Sequence, residues 1–78
     1  MNNFASQVRG ARGLLNLTQQ DLADISRVSL RTIVQLERGE KQPSASIAQA
    51  LKLSLEAAGV EFIPENGGGP GVRLAKRP

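Results

Sequence analysis

The sequence predicts a mainly α-helical fold, four helices in one compact unit, closed by a short C-terminal β-hairpin. Three observations point there. Apolar residues recur at helical spacing from Phe4 to Ala58, Ser and Thr capping signals open successive segments, and glycines close them. After Gly59 the pattern changes to two short alternating runs around a Pro- and Gly-rich turn. The expected division is a helical unit over residues 1–59 and a hairpin with a basic tail over 60–78.

Phe4, Val8, Ala11 and Leu15 lie on one face of a first helix, which Gly10 and Gly13 weaken. Thr18 is placed to cap a second helix, with Asp21 at the acid position of a capping box. Leu22, Ala23 and Ile25 supply its apolar side. Ser29 caps a third helix from Leu30 to Arg38, which Gly39 ends in the left-handed conformation. Beyond the polar connector Glu40–Pro43, Ser44 or Ser46 caps a fourth helix carrying Ile47, Leu51, Leu55 and Ala58 inward. In the hairpin, one register sets Val60 opposite Leu74, Phe62 opposite Val72, and Glu61 opposite Arg73. It has one apolar face and one salt-bridged face. A lone hairpin is barely stable in water, so this one needs a partner surface.

Composition narrows the function. The chain has 78 residues, too few for a large core, and its stability margin is thin unless it oligomerises. It contains no cysteine and no histidine, which removes disulfides, the usual zinc ligands and the common nucleophilic triads. Neither a metal nor a cofactor is expected, and an enzyme is disfavoured. Ten Lys and Arg against seven Asp and Glu give a formal charge of +3, which favours a polyanionic partner. Arg9 and Arg12 are the only charges in the first twenty residues, and Arg73, Lys76 and Arg77 the only ones in the last ten. No run of apolar residues is long enough for a membrane span and no signal pattern opens the chain, so a cytoplasmic location is expected.

Two short helices joined by a tight turn suit the major groove of duplex DNA when the second is exposed. Placing Ile33 and Leu36 against the core puts Arg31, Gln35 and Arg38 on the opposite face, with Val34 at its edge. That face offers donors for base edges and phosphates and carries no acid. Glu37 falls beside the core, and Arg12 at the matching border of the first helix, so the two are expected to pair. The plain alternative for Arg31, Gln35 and Arg38 is an ordinary solvated helix face. Leu30 is equally readable as a boundary residue of the core.

The stretch Leu17-Thr18-Gln19-Gln20-Asp21-Leu22-Ala23, then Val28-Ser29-Leu30-Arg31-Thr32-Ile33, then Leu36-Glu37-Arg38-Gly39 and Pro43, resembles the Cro/repressor-like helix-turn-helix family. The resemblance covers roughly residues 4 to 58. It implies a compact four-helix repressor-like domain that binds double-stranded DNA, usually as a homodimer. It further implies base reading by Leu30, Arg31 and Gln35, to which the helical wheel adds Val34. Gln19 and Arg38 would touch the backbone, with Thr18, Arg27, Ser29, Thr32 and Lys41 as further backbone candidates. Arg12 and Glu37 match a family ion pair.

The chain departs from that family at Arg27, where glycine is usual; if the backbone there is left-handed, Arg costs roughly 1–2 kcal/mol over Gly. The ending also lacks the usual fifth helix and is similar to that of a group of small bacterial regulators. Dimerisation is expected through the hairpin, burying Val60, Phe62, Val72 and Leu74 against a twofold mate. The competing function is an antitoxin-like or other protein-interaction module, its partner unknown, in which the helices are scaffold. The triple glycine Gly67–Gly69 reads as a flexible turn, and Lys76 and Arg77 as a solvated tail.

Overall fold

A computed structural model describes residues 3–65 and 67–75. Lys76 and Arg77, expected in a solvated tail, and Asn66 of the turn lie outside the described residues. The chain runs α1 (Asn3–Leu15), α2 (Gln19–Ser26), α3 (Leu30–Glu37), α4 (Ala45–Ala58), β1 (Val60–Ile63) and β2 (Gly71–Leu74). This is the expected four-helix body with a two-stranded antiparallel hairpin.

The helix boundaries follow from local chemistry. Thr18 Oγ1 accepts the Asp21 N–H and the Asp21 carboxylate accepts the Thr18 N–H, both at 2.9 Å, which completes the capping box of α2. Ser29 and Ser44 cap α3 and α4 by accepting the N–H groups of Thr32 and Ile47. Asn16 stops α1, a signal absent from the expected pattern. It adopts φ 57°, and the Leu17 N–H closes back on the Arg12 carbonyl at 2.9 Å. Short polar Asn tolerates this left-handed conformation better than other non-glycine residues. Gly39, at φ 76°, ends α3 in the same way, with the Glu40 N–H reaching the Gln35 carbonyl.

Val8, Ala11, Leu22, Ala23, Val28, Ile33, Leu36, Leu51, Leu55 and Val60 form one buried cluster, so every helix and β1 contribute to the same core. Each large member stabilises the fold by roughly 1.5–3 kcal/mol relative to exposure. Two expected core positions lie elsewhere. Ile25 is exposed because α2 turns Leu22, Ala23 and Ser26 inward instead. Ala58 is exposed because Val60, just beyond Gly59, fills that end of the core.

The hairpin takes the expected register, Val60 with Leu74, Glu61 with Arg73, Phe62 with Val72, and an ion pair joins Arg73 to Glu61. Its partner surface is the chain's own helical body: β1 lies on α4, and β2 on α1. Phe62 stacks on Phe4 with ring centroids 6.1 Å apart, and Gln7 Nε2 donates to the Gly71 carbonyl at 3.0 Å. Val72 settles over Gly10 so closely that a Cβ there would come within 3.2 Å of Val72 Cγ2. The Ala75 N–H then closes onto the Gly59 carbonyl at 2.8 Å.

This packing changes which of the four hairpin residues expected at a dimer contact are open to a mate. Val60 is only 2% exposed and belongs to its own chain's core, so it is not available to a mate. Phe62 and Val72 are half-buried against that core. Leu74, at 53% exposure, is the open apolar side chain among the four.

Candidate DNA-binding site

The turn between α2 and α3 is built by a buried serine and a left-handed arginine. Ser26 Oγ donates to the Leu22 carbonyl at 2.6 Å and accepts the Val28 N–H at 3.2 Å, leaving neither group of this buried corner unpaired. Arg27 takes φ 63°, a left-handed conformation better suited to glycine, and its N–H closes on the Ala23 carbonyl. Its side chain stands in solvent. Val28 then drops into the core and Ser29 opens α3.

On α3 the two faces separate as the helical spacing predicts. Ile33, Leu36 and Glu37 are buried, while Leu30 and Arg31 are exposed and Thr32, Val34 and Gln35 are partly so. Arg38, with its side chain 67% exposed, makes a long 3.7 Å contact with Glu40. The Ser29 hydroxyl both accepts the Thr32 N–H and donates to Thr32 Oγ1 at 2.8 Å. Both residues therefore have a capping role at the helix start, beside their candidate role toward a phosphate.

Glu37 fixes this helix to the rest of the body. Its side chain is 4% exposed and meets the Arg12 guanidinium in a fork, Nε to Oε2 and Nη2 to Oε1, both 2.7 Å. Arg12 also donates to the Leu17 carbonyl, and Gln19 Nε2 donates to Glu37 Oε1 at 3.2 Å. The bond to Glu37 raises the Arg12 pKa above its ordinary value, with burial opposing and charge attraction assisting. A guanidinium held above its ordinary pKa stays charged throughout the physiological range, so on the Arg12 side the clamp is lost only in strong base. The same clamp cancels the one acid of α3, so its outer face remains basic. Gln19, expected at a phosphate, lies half-buried in this network at the start of α2.

A cleft of about 240 Å³ separates α3 from the start of α4, lined by Thr32, Gln35, Leu36, Lys41, Gln42, Pro43, Ser44 and Ile47. Thr32, Gln35 and Lys41 are expected DNA contacts; Gln42, expected only in the polar connector, and Ser44, expected only as a helix cap, join them in this cleft. The signal for these two was the polar connector running into a serine-capped helix N-terminus, whose N–H groups favour anions.

A short helix pair joined by a three-residue turn, its second helix clamped from below and basic outside, defines a helix-turn-helix domain. A family model described as helix-turn-helix matches residues 8–56. The chain belongs to that family, in its Cro/C1-type branch, and is a DNA-binding helix-turn-helix regulator. The family is one of DNA-binding, non-enzymatic domains. No curated protein matches the chain. Among the described residues no helix is long and apolar enough to cross a membrane.

Proposed function

We propose that the chain is a sequence-specific transcriptional regulator that inserts residues 30–38 into the major groove and binds a palindromic operator as a homodimer in the cytoplasm. The observation that carries this reading is the outer face of α3, where Arg31, Gln35 and Arg38 stand without an acid among them on a helix anchored through buried Glu37. Arg31 has the fork that fits guanine, Gln35 the amide that fits adenine, and Leu30 and Val34 the apolar surface for a thymine methyl. Thr18, Gln19, Arg27, Ser29, Thr32, Arg38 and Lys41 surround that row as backbone contacts, which position the protein without reading sequence.

Residues 1–59 supply the DNA-binding part in this reading and 60–78 the dimer contact, now centred on Leu74 with Phe62 and Val72 at its edge. Half-sites would lie one helical turn, roughly 34 Å, apart. One feature favours the protein-interaction alternative: a surface cleft lined by Ile25, Leu53, Ser54, Ala57 and Ala58, apolar and distinct from α3. That alternative leaves the basic row on α3 without a purpose. Selection of bound duplexes from a random pool tests the proposal, with an enriched motif of two symmetric half-sites expected. Failure to retard any duplex at low salt would sink it, because phosphate contacts alone confer binding there.

A further inference from the structure

The last turn of a helix leaves its carbonyl groups without intrahelical donors. In α3 the chain itself supplies nearly all of them. The Val34 carbonyl accepts the Arg38 N–H at 3.1 Å, the Gln35 carbonyl accepts Glu40 at 3.0 Å, and the Leu36 carbonyl accepts Gly39 at 3.0 Å. The Glu37 carbonyl has no backbone donor among the described residues and accepts instead from Arg9 Nη1, a side chain of α1. Arg9 Nη2 donates to Ser6 Oγ at 3.1 Å, one turn earlier on its own helix, which braces the guanidinium for that reach. The cation thus sits at the negative end of the α3 dipole, where positive charge is favoured.

Arg9 and Arg12 are three residues apart and share one face of α1. Both grip Glu37, Arg12 by the carboxylate and Arg9 by the carbonyl. One attachment leaves a helix free to pivot about it, whereas a second on the main chain restrains that pivot. We propose that Arg9 is a positioning residue for the recognition helix, acting as a side-chain cap lent by α1, and that it is not a phosphate ligand despite its charge. The proposal rests on the reading of α3 as the recognition helix.

The test uses the full chain and the Arg9→Gln and Arg9→Lys variants. Each is titrated with the selected operator duplex and with a random duplex across a salt series. A lost phosphate contact lowers the slope of log affinity against log salt by about 0.9. A positioning role predicts that Arg9→Gln keeps the wild-type slope on both duplexes. Its operator affinity should fall on the order of tenfold, the scale of one charge-assisted hydrogen bond. Arg9→Lys keeps the charge but not the fork, and should fall in between.

A slope reduced by about 0.9 per protomer in Arg9→Gln, about 1.8 for the bound dimer, assigns Arg9 to a phosphate and overturns the proposal. Unchanged operator affinity with wild-type slope overturns it too. A readout without DNA accompanies these: in Arg9→Gln the Glu37 carbonyl ¹³C resonance should move upfield, as it does on losing a donor, and amides of the last α3 turn should exchange faster. If the wild type binds no duplex, the reading of α3 fails. If the wild type binds and both variants match it, only the Arg9 proposal fails.

Discussion

Gly10 and Gly13 lie on the same helix and have opposite surroundings, so the same substitution at each should give different results. Both lie within α1, where replacing Gly by Ala contributes about 0.5–1 kcal/mol of helix stability. At Gly13 an added Cβ meets nothing within 4 Å, so Gly13→Ala should realise most of that gain. For a domain of this size that corresponds to roughly 3–8 °C in Tm. At Gly10 the same methyl arrives 3.2 Å from Val72 Cγ2, tighter than ordinary carbon contact. Val72 cannot simply swing away, because its strand is tied by Gln7 to the Gly71 carbonyl and paired with β1, which the Phe4–Phe62 stack holds to α1. Overpacking of this kind costs about 1–3 kcal/mol, enough to cancel the propensity gain or reverse it.

Gly10→Ala should therefore leave Tm unchanged or lower it. The double variant Gly10→Ala/Val72→Ala should recover the missing increment relative to Val72→Ala alone. Thermal melts followed by circular dichroism, with urea titrations for free energies, measure both. If Gly10→Ala stabilises as much as Gly13→Ala, the hairpin is not seated on α1 as described, and the reasoning collapses.

Four further outcomes follow from the same geometry. Glu37→Ala leaves the Arg12 guanidinium without its fork, and because Arg12 keeps 20% side-chain exposure the loss should lie near the lower end of the buried-pair range, about 3 kcal/mol in urea unfolding; a loss under about 1 kcal/mol would mean the pair is solvated. Arg27→Gly relieves a left-handed backbone and should raise stability by roughly 1 kcal/mol; if Arg27 also touches a phosphate, the salt slope drops by about 0.9 per protomer at the same time. Gln35→Ala should cost about 1–3 kcal/mol on the selected operator and relax the preference at one base position, while affinity for random duplex stays the same. Leu74→Glu should reduce the mass seen by light scattering and lower Tm only as far as dimer formation itself adds stability, since the side chain is open in the single chain; an unchanged mass moves the dimer contact elsewhere.

Much of the fold was legible because it rests on local rules. The Thr18–Asp21 box, the Ser29 cap and the Gly39 stop are each a few residues of backbone chemistry, and all occur where the spacing put them. The Arg12–Glu37 pair was legible for a different reason. Angular position on two helices places both side chains at one border, and a carboxylate there needs a partner.

The misreadings concern tertiary choices that spacing does not encode. Ile25 fits an apolar stripe as well as Ser26 does, yet the corner needs a hydroxyl for the Val28 N–H, and so the helix rolls Ser26 inward. The apolar pattern of the hairpin does not say which surface covers it. Its own α1 offered a flat glycine surface at Gly10 that only three-dimensional proximity reveals. Local pattern also leaves out the bond from Gln19 to Glu37, because these two residues meet only when the helices pack.

The bond from the Ala75 N–H to the Gly59 carbonyl also has a practical use. It fastens the hairpin where it leaves and rejoins the body, so the connection between the strands is a closed loop on a fixed base. At its tip Gly67 and Gly68 face solvent, with the Glu65 carboxylate accepting the N–H groups of Gly67 and Gly69. Lengthening a loop whose ends are already held is inexpensive, about 0.6 kcal/mol for each doubling. The tip is therefore a port for grafting a fluorescent or affinity tag, on strands that lean against α1 and α4 rather than against the helix that carries Arg31 and Gln35.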